Sequence, residues 1–227
     1  MTTLAGLHGT AGQSDGVGAA ARFNAPIGVA ADATGNVYVA DTGNHTIRKI
    51  SVNGAVTTLA GSIGFTGSTD GTGNSARFNS PNGLVAASDG SLYVADTNNS
   101  LIRKVSPEGV VTTLAGRFVG TRIVGKQDGV NGVGAWLTTP LAIAIDGDGS
   151  VFFTESNSNT IRRVTSAGLV STVGGFWVSG SESYGAKDGV MTAARFARPA
   201  AITVGLNNKI YVVDIDSNTV RLGVRIE

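Results

Sequence analysis

The chain has 227 residues, enough for one or two domains with a buried core, and its 17 basic and 16 acidic side chains leave a net charge of +1, which argues against a polyelectrolyte-binding tail. Its 33 glycines are about twice the usual share, while charged residues make up only 15%, so the chain is turn-rich yet too apolar to be disordered. Five prolines without glycine at every third position exclude collagen, and the absence of cysteine removes disulfides, thiolate zinc sites and a cysteine nucleophile together.

Along the chain one pattern returns. Thr-Thr-Leu-Ala-Gly stands at Thr2 to Gly6, Thr57 to Gly61 and Thr112 to Gly116, with a diverged Ser-Thr-Val-Gly-Gly at Ser171 to Gly175. Each copy is followed by Asp-Gly at Asp15, Asp70, Asp128 or Asp188 and then by a single proline at Pro26, Pro81, Pro140 or Pro199. Next come Val39-Ala-Asp41, Val94-Ala-Asp96, Phe153-Thr-Glu155 and Val212-Val-Asp214, and after each an aliphatic residue with an arginine: Arg48, Arg103, Arg162 and Arg221. Residues 2–56 and 57–111 align without a gap at 30 identities in 55, which only duplication explains. The repeats span about 2–56, 57–111, 112–170 and 171–227, read as one domain over 1–227.

Within the first repeat the runs Ile27 to Ala31, Asn36 to Ala40, Thr46 to Ile50 and Ala55 to Ala60 are short, rich in β-branched and aromatic residues and bounded by Asp, Asn and Gly. They predict four strands per repeat, with tight hairpins at Thr34-Gly35, Asn53-Gly54, Asp89-Gly90 and Glu108-Gly109, where glycine supplies positive φ. The longer connection after the fourth strand carries Asp-Gly-x-Gly and, in the first repeat, an Ala-Ala-Ala-Arg-Phe run able to form one helical turn. Four four-stranded units with few helices predict an all-β, four-bladed β-propeller. The last repeat stops before its fourth strand and the chain begins with one, so Thr2 to Ala5 is expected to pair with the last blade and close the ring.

Tyr38-Val-Ala-Asp-Thr-Gly-Asn-His-Thr-Ile-Arg48, after Pro26 to Asn36, resembles the NHL repeat, whose Asn-His-Leu core is matched by Asn44-His45 with Thr46 in place of leucine. The resemblance covers essentially the whole chain in four copies and implies a propeller scaffold, not a reaction. Members of that family serve variously as RNA-binding modules, protein-interaction platforms, sensor domains and a few metal-dependent lyases. This chain departs from them in having four repeats, where six are common, and in its longer repeat. A closed monomer is the favoured reading, with small inner-strand residues such as Ala30-Ala31 and Ala86-Ala87 suited to a crowded axis; a strand-exchanged pair with eight blades is the alternative.

The Asp-Gly runs lack the βαβ context of a phosphate loop and the alternating ligands of a calcium loop, so they read as turn structure. Arg22, Arg77 and Arg195 are expected to pair with Asp41, Asp96 and Asp214; in the third repeat the two positions become Trp136 and Glu155. His8 and His45 are too few for a zinc site, no nucleophile stands beside a histidine and a carboxylate, and neither catalytic residues, metal nor cofactor is expected.

Symmetry is broken in the longer connections from Gly116 to Asp128 and from Gly175 to Asp188. Phe118, Trp136, Trp177 and Tyr184, with the cations Arg117, Arg122 and Lys126, are the candidate binding residues, because aromatics among cations can stack on bases or sugars or anchor a peptide. The leading expectation is a non-enzymatic scaffold presenting these residues to a protein, peptide or glycan. Alternatives are an RNA-binding propeller using Arg117, Arg122 and Lys126, and a calcium-dependent hydrolase or lyase with Asn24 and Asn79 near the axis. A further alternative is an amplified or excised repeat fragment without a ligand of its own. No membrane segment is expected, since the most apolar stretch, Leu141 to Ile145, is far below the roughly 20 residues a spanning helix needs. The first residues lack the features of a signal peptide, and the compartment stays open.

Overall fold

A computed structural model describes residues 1–117, 127–129, 134–177, 184–205 and 208–223. The architecture is all-β, with four antiparallel sheets that are the blades of a β-propeller. Blade one comprises Pro26–Ala31, Val37–Asp41, Thr46–Ile50 and Ala55–Ala60, and blade two Pro81–Ala86, Leu92–Asp96, Leu101–Val105 and Val110–Ala115. Blade three comprises Pro140–Ile145, Val151–Glu155, Thr160–Val164 and Val170–Gly174, and blade four Pro199–Val204, Ile210–Asp214 and Thr219–Gly223. Each strand pairs with its neighbours in sequence, as hairpin connections require. In blades one and two a two-residue strand from the preceding connection, Gly16–Val17 or Gly71–Thr72, pairs outside the fourth strand.

The predicted hairpin glycines Gly35, Gly54, Gly90 and Gly109 adopt φ of 76–88°, the region that makes glycine the residue of choice there. The expected helical turn in the long connection is a short 3-10 turn, Gly18–Ala20, repeated at Gly73–Ser75 and Met191–Ala193. The first strand of every blade slips register just after its proline, between Pro26 and Gly28, Pro81 and Leu84, Pro140 and Ile143, and Pro199 and Ala201. Such a bulge bends the innermost strand.

The chain divides into two compact units. Met1–Asn99 with Arg103–Thr112 form one, Ser100–Ile102 with Thr113–Glu227 the other. In the first, Tyr38, Ala40 and Ile47 of blade one pack against Leu84 and Val94 of blade two and Phe78 of the connection before it. In the second, Phe152 and Ile161 of blade three meet Ile210 and Val212 of blade four and Phe196 of the connection before it. Gly28 lies so close to blade two that a β-carbon there would collide with the Asn82 carbonyl oxygen and crowd Leu84. Among the described strands, Thr219–Gly223 is bonded on one side only, and Thr2–Ala5 fall in no strand.

Candidate functional site

The second strand of each blade ends on a buried carboxylate, and the third strand, running back beside it, delivers an arginine to it. Arg48 Nη1 donates to Asp41 Oδ2 at 2.8 Å with both side chains fully buried, and its Nη2 donates to Asp15 at 2.7 Å. Arg103 does the same with Asp96 and Asp70, and Arg162 with Glu155 and Asp128. Arg221 holds Asp188 at 2.7 Å and Asp214 at 3.8 Å. Asn44 or Asn99 donates to the second carboxylate oxygen from the NHL-like turn, and the main-chain N–H of Asn24 or Asn79 to the first. A buried ion pair is costly unless its remaining lone pairs and protons are satisfied; these bonds satisfy the carboxylates, while the Nε–H groups of Arg48, Arg103 and Arg162 are buried without a partner. Burial nonetheless pushes Asp96 up to about 6, against the pull of Arg103 and of the hydrogen bonds from Asn79 and Asn99.

This corrects the pairing expected for Arg22, Arg77 and Arg195. Asp41, Asp96 and Asp214 take their arginine from the third strand, while the Arg22 guanidinium donates to the carbonyls of Ala19 and Ala21. The Arg77 guanidinium likewise donates to Asn74 and Ala76, and that of Arg195 to Thr192 and Ala194. Their part in the buried network is a carbonyl: Arg48, Arg103 and Arg221 each donate to the main chain of Arg22, Arg77 and Arg195 at 2.9–3.0 Å. Any residue supplies a carbonyl, so Trp136 stands in that position and accepts from Arg162 at 3.4 Å without a change of charge. The sequence signal was present, because the third-strand arginines persist in all four repeats and the expected ones do not.

The Asp-Gly carboxylates are scaffold of the same kind. Asp15 accepts from the N–H and hydroxyl of Thr58 on the fourth strand, and Asp128 from those of Thr172. Each thereby ties the long connection to two strands of its blade.

Of the candidate binding residues, Arg117, Trp136 and Tyr184 are exposed and Trp177 is half-buried; Phe118, Arg122 and Lys126 lie outside the described residues. Trp136 is held by a main-chain bridge, its N–H donating to Gln127 at 3.0 Å, and Tyr184 bridges Phe196. Both belong to connections that return from an outer strand to an inner one, hence to the same end of their respective blades. Beside Trp177, Phe176 is covered by the Arg195 guanidinium at 4.9 Å from the ring centroid. Among the described residues no cluster of three or more metal-ligating side chains occurs.

His45 sits in the left-handed region at φ 59°, and Ser100, Asn159 and Asn218 repeat that conformation. Its Nδ1 accepts the Ser80 N–H at 3.1 Å, and Asn159 Oδ1 accepts the Arg198 N–H at 2.9 Å. Desolvation holds the imidazole below its ordinary value of 6.5, and the bond requires a neutral ring nitrogen.

The sequence pattern of the NHL repeat matches residues 23–50 and 78–105, the segments that carry these turns and arginines. NHL repeat-containing protein 2 of Gallus gallus is 31% identical over 212 residues, covering 82% of this chain and 28% of that protein. The chain belongs to the NHL-repeat β-propeller family. A second relative, the protein SUPPRESSOR OF QUENCHING 1, chloroplastic, of Arabidopsis thaliana, is 44% identical over 95 residues, 41% of this chain and 9% of that one. The NHL chain thus spans less than a third of the length of either relative. Among solved structures, an auxiliary nutrient binding protein from Bacteroides ovatus superposes with a TM-score of 0.67 at 21% identity, over 89% of this chain and 48% of that chain; the likeness is one of fold. In NHL terms the His position is a left-handed turn residue that ties one blade to the connection entering the next. No helix among the described residues is long and apolar enough to cross a membrane.

Proposed function

We propose that this NHL propeller is a non-enzymatic scaffold that presents a recognition surface to a protein, peptide or glycan, on the blade end that carries the long connections of blades three and four. The observation that carries the reading is the contrast between two sets of residues. The acid that ends each second strand and the arginine of each third strand are consumed in scaffold bonds, whereas Trp136 and Tyr184, which break the repeat, stand exposed on main-chain bridges. Exposed aromatics on a fixed backbone lose little entropy on binding and supply large contact area, which is why they recur as anchors. Arg117, exposed in the connection that leads to Trp136, adds a donor for carbonyl, carboxylate or hydroxyl groups. Phe118, Trp177, Arg122 and Lys126 belong to the same two connections and complete the proposed surface.

The test is a glycan array and a displayed peptide library probed with the wild-type chain and with a variant carrying Phe118→Ala, Trp136→Ala, Trp177→Ala and Tyr184→Ala. Loss of at least about tenfold in signal from the selected binders is expected. Binders retained at wild-type strength by the quadruple variant would overturn the assigned surface.

A further inference from the structure

The blade ends that carry Trp136 and Tyr184 also carry a row of polar side chains outside the buried charge network, all within the second compact unit. Pro140 pairs with Glu155 and Pro199 with Asp214, so the turn between the second and third strands lies at the end where the first strand begins. From that turn in blade three, Asn157 Nδ2 donates to the Thr139 hydroxyl at 3.0 Å and Asn159 Oδ1 accepts the Arg198 N–H at 2.9 Å. Arg198 Nη2 donates in turn to Asp216 Oδ1 at 2.7 Å, and Asp216 donates its N–H to the Ala197 carbonyl at 3.0 Å. The row runs from Thr139, close after Trp136 in the chain, to Arg198, close after the Phe196 that bridges Tyr184.

A blade does not need a side-chain tie between the entry of its first strand and this turn. In blade one the two positions are Ala25 and Gly43, which have no polar side chain, and in blade two Ser80 and Asn98 form a neutral bond at 2.9 Å. In blade four the pair is Arg198 and Asp216, an ion pair in which both residues break the repeat. The guanidinium carries five N–H groups, and the Arg198 side chain stays 55% exposed beside Asp216. Asn157 is exposed as well.

We propose that the ligand of this surface is a neutral oligosaccharide, an inference that rests on the reading of Trp136 and Tyr184 as recognition residues. Vicinal sugar hydroxyls are paired donors and acceptors, and planar amide, carboxylate and guanidinium groups present paired atoms that match them. The C–H face of the same ring is apolar and lies well on an aromatic ring. Asn157, Arg198 and Asp216 supply the first kind of group, Trp136 and Tyr184 the second. Water already bonds a sugar's hydroxyls, so affinity depends on polar groups held in place before the ligand arrives. The bonds from Asn157 to Thr139 and from Arg198 to Asp216, with the main-chain bond of each turn, do that holding. Arg198 and Asp216 cancel one another, so the row offers donors and acceptors without the excess of positive charge that a nucleic acid backbone requires.

The test is an array of neutral, sialylated and sulfated oligosaccharides, beside a displayed peptide library, probed with the chain at about 0.15 M and about 1 M sodium chloride. Neutral oligosaccharides are expected among the binders, with signals that the higher salt changes by less than about twofold. The double variant Arg198→Thr, Asp216→Asn installs in blade four the Thr139 and Asn157 pair of blade three. Its far-UV circular dichroism and melting temperature are therefore expected to match the wild type, while its glycan signal falls about tenfold, as do those of Trp136→Ala and Tyr184→Ala. An array without a bound neutral oligosaccharide, binding confined to anionic glycans and lost in high salt, or neutral-glycan binding indifferent to the double variant overturns the proposal. Selected peptides that bind in place of glycans and are lost with Trp136→Ala and Tyr184→Ala overturn the ligand class and leave the recognition surface standing. Glycans lost with the double variant but retained by both aromatic variants overturn the surface itself, and this proposal with it.

Discussion

Arg48 and Asp41 lie 2.8 Å apart with no exposed side-chain surface, while Arg22, the arginine nearest the blade's entry, reaches that pair only through its carbonyl oxygen. The charge that matters to the fold is therefore the third-strand one. Arg48→Met leaves a buried carboxylate without its partner and is expected to cost about 3–5 kcal/mol, whereas Arg22→Ala is expected to cost at most about 1 kcal/mol. Urea denaturation of the two variants checks the order, and equal losses would contradict it.

The same geometry predicts that blade three tolerates restoration of the repeat residue. Trp136→Arg keeps the carbonyl that accepts from Arg162, so stability is expected to stay within about 0.5 kcal/mol of wild type. Glu155→Asp is different. Glu155 Oε1 accepts the Thr138 N–H at 2.5 Å while Oε2 accepts from Ser158, Thr160 and Arg162, and a shorter side chain cannot span that set. A loss of about 1–3 kcal/mol is expected from the bonds left unmade.

His45 gives a pH dependence whose sign follows from its bond. The folded ring titrates below 6.5, so the folded chain holds fewer protons than the unfolded chain just below that value. Its contribution to stability is present above pH 6.5 and is lost as pH falls through the folded value. NMR titration of the ring is expected to give a midpoint under 6.5. His45→Asn installs the residue that the third repeat carries at Asn159, and is expected to keep the acceptor for Ser80 and remove this component of the pH dependence.

Gly28→Ala places a methyl group into the Asn82 carbonyl and Leu84. The inner strands of blades one and two must then separate, at an expected cost of about 1–3 kcal/mol by thermal or urea unfolding. Gly54→Ala meets no neighbour and pays only for its positive φ, so its loss is expected to be about 1 kcal/mol.

Much of this protein was legible as sequence because repetition turns a weak local signal into a strong one. A single Asn-Gly or Asp-Gly hairpin is suggestive; the same spacing of proline, acid, left-handed turn and arginine carried through four repeats leaves few folds. The partner of Asp41 was only weakly legible: Arg48 recurs in all four repeats while the Arg22 position becomes Trp136 in the third, yet spacing alone cannot show which guanidinium points inward. Alternation decides it: on the third strand Arg48 faces the same buried end as Asp41, and a buried charge must be met by whichever opposite charge shares its enclosure.

The sequence by itself determined the number of repeats, the strands within each and the turns that need glycine or a left-handed residue, all of which depend on neighbours near in the chain. Tertiary structure alone decided which arginine neutralises which acid and which connection aromatics stand in solvent. The first repeat writes an arginine at both Arg22 and Arg48; which of them meets Asp41 follows from the packing of the blade, because only the third-strand guanidinium is enclosed with the acid.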